Sequence, residues 1–162
     1  MLNFDLIQAR VYVGSGPTTE EDVARLKQMN ITVVISLQTD EDLVSRETDW
    51  EQLLNWYEES EIDARRFPIN DFDEDDMSKR IGEPIKLLND FLTDSQRVYI
   101  HCNTGICRAP AVVLGYLIHY EAMSLQAAMR QIQIARPIAS PYRSAVTKAV
   151  ERLAEERDWT LL

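Results

Sequence analysis

The 162-residue chain is poor in several things at once. It has two cysteines and two histidines. Two cysteines cannot form the disulfide framework of a small secreted domain, and two histidines leave no cluster from which to build a metal site. It has no long apolar run. The longest uncharged stretch begins at Ala109 and stops at Glu121, well short of the roughly 20 apolar residues that a membrane span needs. Basic charge is scarce: 17 Lys and Arg stand against 27 Asp and Glu, a net charge of −10. An acidic surface repels phosphate backbones and anionic lipid, so neither nucleic acid nor membrane is an expected partner. The N-terminus shows no basic segment followed by an apolar one, so no secretory signal is expected and a reducing, cytoplasmic setting is the simplest reading.

What is present is an ordinary globular mix, 45% hydrophobic and 27% charged. No repeat, linker or low-complexity tract divides it, so residues 1–162 read as one domain. Leu6-Ile7 and Val11-Tyr12-Val13 read as short strands around a turn. Thr18 or Thr19 followed by Glu20-Glu21 reads as a helix start. Ile31 to Leu37 is a β-branched run suited to a strand buried on both faces, and Val98-Tyr99-Ile100 is a second. Arg65 to Ile69 reads as an edge strand ending near Pro68. Apolar spacing predicts helices around Trp50–Tyr57 and Ile85–Leu92, and over 108–122, 124–135 and 141–157. Strands alternating with helices predict an α/β fold, a central mostly parallel sheet flanked by helices.

The chemistry is concentrated after Val98-Tyr99-Ile100, in His101-Cys102-Asn103-Thr104-Gly105-Ile106-Cys107-Arg108-Ala109-Pro110. Both cysteines lie here, and Cys102 is followed by Gly105 and Arg108. With 5 glycines among 162 residues, this spacing arises in roughly half a per cent of shuffled chains. A loop feeding a helix N-terminus turns successive backbone N–H groups toward an anion. The amides of Asn103, Thr104, Gly105, Ile106, Cys107 and Arg108 are therefore the expected phosphate cradle. The same donors favour the thiolate form of Cys102, a competent nucleophile toward phosphorus. Arg108 offers a planar fork for bidentate phosphate binding, and Gly105 relieves the backbone where a side chain would clash.

Cys-x5-Arg between strand and helix resembles the signature of cysteine-dependent protein tyrosine phosphatases, in their small dual-specificity branch. The resemblance runs from Val11-Tyr12-Val13-Gly14 to about residue 153. Gly105 to Ala111, together with Ser36-Leu37-Gln38-Thr39-Asp40 and Asp71-Phe72-Asp73, is similar to plant glucan phosphatases. Position 109 is Ala, as in that branch, where most relatives carry Ser or Thr; position 107 is Cys where the branch has Gly. The resemblance implies the dual-specificity phosphatase fold and phosphomonoester hydrolysis through a cysteinyl-phosphate, with no cofactor and no metal. It implies Cys102 as nucleophile, His101 as a support of the loop, and an Asp about 30 residues upstream as proton donor. Asp71, 31 residues before Cys102, matches. By chemistry alone the choice stays open, because Asp71, Asp73, Glu74, Asp75 and Asp76 form one acidic run that also reads as a solvated loop, with Asp73 as the other donor.

Phe72 is the expected substrate contact, and Trp50, Trp56 and Tyr142 could extend it, although each also fits a core position. The loop carries no lysine to meet the extra phosphates of an inositol lipid. The expected partner is a phosphorylated glucan or a phosphorylated protein. Two other readings share the motif. A phospho-binding pseudophosphatase would have lost Cys, Arg or Asp, and all three are here. A rhodanese-like sulfurtransferase would have a shorter loop and no upstream Asp. Cys107 is a candidate redox partner that could trap a Cys102 sulfenic acid as a disulfide; low-molecular-weight tyrosine phosphatases share the local Ile-Cys-Arg string but place it near the N-terminus.

Overall fold

Alternate residues of three neighbouring strands point to opposite sides, and both sides are apolar. Val11, Val13, Val33, Ile35, Val98 and Ile100 enter one buried cluster. Val34 and Tyr99 enter another. A sheet with two apolar faces must be covered on both. The computed structural model, which describes residues 1–160 and side chains through Arg157, shows how.

The sheet has five strands: β1 (Phe4–Gln8), β2 (Val11–Gly14), β3 (Val33–Ser36), β4 (Asp63–Arg66) and β5 (Val98–His101). Their order is β1-β2-β5-β3-β4. β2, β5, β3 and β4 run parallel, and β1 pairs antiparallel with β2 at the edge. Helices α1 (Glu20–Gln28) and α3 (Trp50–Glu59) supply Val23, Leu26, Leu53 and Tyr57 to one face. The other face is covered by α4 (Glu74–Arg80), α5 (Gly82–Thr93), α6 (Arg108–His119), α7 (Leu125–Ala135) and α8 (Arg143–Thr160). The short helix α2 (Asp40–Ser45) follows β3.

This is the expected mostly parallel α/β sheet, and the predicted helices around Trp50, Ile85 and after residue 108 all form. Three details differ. The Ile31–Leu37 run forms a strand only over Val33–Ser36. The expected strand Arg65–Ile69 is β4 over Asp63–Arg66, yet its exit keeps sheet-like bonds, Phe67 N to Ser36 O at 2.8 Å and Ile69 N to Leu37 O at 3.1 Å. That continuation carries the chain past the end of β3 and delivers Asp71 to the loop that follows β5. Finally, the acidic run is loop only through Asp73. Asp73 caps α4 by accepting from Asp76 N, and Glu74, Asp75 and Asp76 form its first turn. Acids there meet the positive end of the helix dipole, so the run is a helix start as much as a solvated surface.

Candidate active site

β5 ends at His101, and the loop 102–107 leads into α6 at the carboxyl edge of the parallel strands. There a doubly wound sheet leaves its crevice. Each loop carbonyl is held from outside. Cys102 O accepts from His101 Nδ1 at 3.0 Å. Asn103 O accepts from Gly16 N at 3.1 Å and Ile106 O from Ser140 N at 2.6 Å. Arg136 takes the two between, donating from Nη2 to Thr104 O at 2.9 Å and from Nε to Gly105 O at 2.8 Å. Among the described residues, the amides of 103 to 107 donate no backbone hydrogen bond. Cys107 occupies the N-cap of α6 with no side-chain cap. Carbonyls out and amides unclaimed at a helix N-terminus make an anion cradle.

Gly105 is required by this arrangement. Its φ is +71°, and a Cβ there would lie 2.7 Å from the Gly14 backbone and 2.9 Å from Arg136 Nη2. Arg136 is fully buried and reaches Asp5 at 2.8 Å with its remaining Nη1. It holds the loop's shape, and sequence reasoning missed it because its partners lie 31, 32 and 131 residues away.

Cys102 is buried at the base of the loop, 2% exposed. His101 beneath it is fully buried, and burial lowers its pKa to about 4. It is thus neutral, and its Nδ1–H donates to the Cys102 carbonyl. Cys107 is half-buried, and burial pushes its thiol up to about 11.

Arg108 is 1% exposed. Its Nη1 is saturated by protein, donating to Asp42 Oδ2 at 2.6 Å and to Ile69 O at 2.8 Å. Its Nε and Nη2 are buried donors with no hydrogen-bond partner among the described residues. Two adjacent guanidinium donors with no hydrogen-bonded protein acceptor form an edge suited to holding an anion bidentately. Burial opposes the Arg108 charge, but the Asp42 hydrogen bond and nearby acidic groups outweigh it and raise its pKa.

Asp71 Oδ2 lies 3.4 Å from Arg108 Nη2, and Asp71 Oδ1 accepts from Phe72 N at 3.1 Å. Asp71 is therefore beside the open guanidinium edge, while Asp73 caps α4 through its Oδ1. Phe72 follows with φ of +58°, its ring 87% exposed. Tyr142 lies close enough to Cys107 and Asp71 for their charges to raise its pKa, after burial. Trp50 and Trp56 pack against the α1/α3 cluster instead, Trp50 with the Arg66 guanidinium 5.2 Å from its ring centre.

The loop side chains divide. Thr104 and Ile106 are exposed at the mouth. The Asn103 side chain is held by protein instead: its Nδ2 donates to Asp42 Oδ1 and its Oδ1 accepts from Gln38 Nε2, both at 2.9 Å. Only its amide remains for phosphate. Among the described residues, no group of three or more His, Cys, Asp or Glu is arranged to hold a metal ion.

Residues 11–151 match the family described as the dual specificity phosphatase catalytic domain. The chain belongs to that family. It is 32% identical over 127 residues to the chloroplastic phosphoglucan phosphatase LSF1 of Arabidopsis thaliana, covering 78% of this chain and 22% of the relative. It is 29% identical over 137 residues to the amyloplastic phosphoglucan phosphatase DSP4 of Castanea sativa, covering 83% and 36%. Laforin of Mus musculus is 22% identical over 166 residues, covering 96% and 50%. The chain thus spans half or less of the length of these curated relatives. Among solved structures, PTPMT1 in complex with PI(5)P superposes with a TM-score of 0.78 at 19% identity, covering 98% of this chain and 99% of that one. Tk-PTP in its active form gives 0.75 at 22%, covering 92% and 96%. At those identities the likeness is one of fold.

Proposed function

We propose that residues 1–162 form one catalytic unit that hydrolyses phosphomonoesters through a Cys102 phosphoenzyme, with phosphorylated glucan as its substrate class. The observation that carries the reading is the open Nε/Nη2 edge of Arg108, above a buried cysteine and a ring of outward-held carbonyls, with Asp71 alongside. The loop amides and Arg108 bind the three non-bridging oxygens. Cys102 Sγ attacks phosphorus as the ester oxygen leaves and takes the proton of Asp71. Asp71, now a carboxylate, removes a proton from water, which attacks phosphorus and breaks the P–S bond, releasing phosphate and the thiolate. Catalysis of this kind rests on positioning and charge stabilisation.

Three features support a glucan. The curated relatives at 32% and 29% identity are named for phosphoglucan. Phe72 presents an exposed ring next to the acid, suited to stacking on a sugar face. Asp40, Glu41, Asp76 and Arg80 line a cleft that Asn70 shares, and with Asp76 paired to Arg80 and Asp40 to Arg66, neither cation is left over to meet the extra phosphates of an inositol lipid. The test compares phosphate release from phosphorylated glucan, a phosphotyrosine peptide and a phosphoserine peptide. Preference for glucan that Phe72→Ala selectively removes is expected. Preference for peptide, untouched by Phe72→Ala, overturns the substrate assignment, and phosphate binding without turnover by the parent protein overturns the enzyme.

Cys107 is the proposed redox guard of the nucleophile. After peroxide oxidises Cys102 to a sulfenic acid, attack by the Cys107 thiolate displaces hydroxide and forms the disulfide. With its thiol pushed up to about 11, thiolate is scarce at neutral pH, so protection grows as pH rises. Cys107→Ser removes thiol-reversible recovery; unchanged recovery excludes the guard.

A further inference from the structure

Asp42 was not among the residues that the sequence singled out, yet it touches the catalytic loop at two points. Its Oδ2 accepts from Arg108 Nη1 at 2.6 Å and its Oδ1 from Asn103 Nδ2 at 2.9 Å. The same Oδ2 accepts from Thr39 N at 2.9 Å, and Thr39 Oγ1 accepts from Asp42 N at 3.1 Å, the reciprocal capping box that starts α2. One carboxylate thus joins a helix start, the first variable residue of the loop and its arginine. Its side chain is 13% exposed and Arg108's 1%. Burial works against the Asp42 charge, but bonds from Arg108, Thr39 and Asn103 keep its carboxyl below the ordinary range, so it is ionised at neutral pH.

We propose that Asp42 is a positioning residue for phosphoryl transfer: it fixes the guanidinium of Arg108 by its Nη1 edge, so that Nε and Nη2 face the transferring phosphoryl group. The proposal rests on the function given above. The alternative is that Asp42 serves only to cap α2, and the two roles make different demands. A cap is needed equally with or without substrate. An oriented guanidinium matters most in the transition state, where charge spreads over the equatorial oxygens and geometry decides how much of it is met. Ground-state phosphate is also held by the loop amides, and the bonds from Arg136, His101, Gly16 and Ser140 that keep these in place do not involve Asp42, which reaches the loop before Arg108 only at the Asn103 side chain. Removing the Asp42 charge also removes a repulsion on bound phosphate. The rate of the chemical step and the affinity for phosphate therefore separate.

The experiment measures kcat, competitive inhibition by inorganic phosphate and Tm for the parent, Asp42→Asn and Thr39→Ala. Asp42→Asn is the charge variant. Thr39→Ala breaks the same capping box without touching Arg108. For Asp42→Asn we expect kcat to fall on the order of ten- to a hundredfold, with phosphate inhibition unchanged or tighter. For Thr39→Ala we expect a lowered Tm with kcat within about twofold of the parent. If Asp42→Asn does not fold, Asp42→Glu carries the test. It keeps charge and cap while displacing the carboxylate by one methylene, and the same split is expected. The proposal is overturned if kcat and phosphate affinity fall together, if kcat stays within twofold, or if Thr39→Ala reproduces the Asp42→Asn loss. Turnover by the parent that Cys102→Ser abolishes shows that the underlying reading stands in each case.

Discussion

Arg108 has one edge bound by protein and one edge open, and Asp71 sits against the open edge at 3.4 Å. In the proposed mechanism a dianionic phosphoryl group entering there takes the carboxylate's place on the guanidinium, and the freed Asp71 serves the leaving oxygen. General acids of this kind contribute roughly 10²–10⁴-fold. Asp71→Asn should slow hydrolysis by about 10²-fold for an alkyl phosphate and far less for an aryl phosphate with a good leaving group; equal losses for both would remove Asp71 from the proton transfer. His101 makes a separate prediction at this scale. Its ordinary value of 6.5 falls to about 4 on burial, so between those values the unfolded chain binds a proton that the folded chain does not. Stability that is full above pH 6.5 is lost as pH falls toward 4, by up to roughly 3 kcal/mol. Denaturant midpoints measured across that range should drop for the parent and flatten in His101→Asn.

Short helices set the geometry between strands. The exits of β3 and β4 stay bonded as far as Ile69, and each is followed by a helix with an acidic first turn, α2 and α4. Because Asp73 caps α4, Asp73→Ala should cost about 1 kcal/mol of stability while leaving the leaving-group dependence of the rate as in the parent. A leaving-group dependence transferred to Asp73 would exchange the roles of the two acids. The sheet, α1, α3 and the helices after residue 108 were legible because each carries its own periodicity. The nucleophile loop was legible because Cys102, Gly105 and Arg108 are close in sequence. α2 and α4 were not, since runs such as Asp40-Glu41-Asp42 and Glu74-Asp75-Asp76 have no apolar stripe. Their signal was Thr39 with Asp42 and Asp73 with Asp76, caps rather than faces. Asp42 and Arg136 were out of reach, because their roles lie in contacts 31 to 131 residues distant.

Over the whole molecule, Arg136 ties three distant segments: Asp5 on the edge strand, the loop carbonyls of Thr104 and Gly105, and the turn after α7. A buried guanidinium with every partner matched is costly to disturb, since removing it leaves the Thr104 and Gly105 carbonyls without their donor, while the part-exposed Asp5 returns to water. Arg136→Met should lower stability by about 2–4 kcal/mol and reduce activity even at temperatures where the protein remains folded, as read by thermal melts beside phosphatase assays; full activity in a destabilised variant would show that the loop keeps its shape without it. No helix among the described residues is long and apolar enough to cross a membrane. The molecule carries −10 charges, so the site draws phosphate through Arg108 and amide dipoles against the sign of its surroundings. The central claim is that phosphate passes through Cys102. Rapid acid quench of the Asp71→Asn variant with an aryl phosphate of good leaving group, which loads the enzyme without the acid while hydrolysis of the intermediate is slowed, followed by peptide mass analysis, tests it most directly. The account predicts one phosphoryl group on the peptide containing Cys102, absent in Cys102→Ser. Turnover with no phosphorylated Cys102, or a phosphoryl group on another residue, would contradict it.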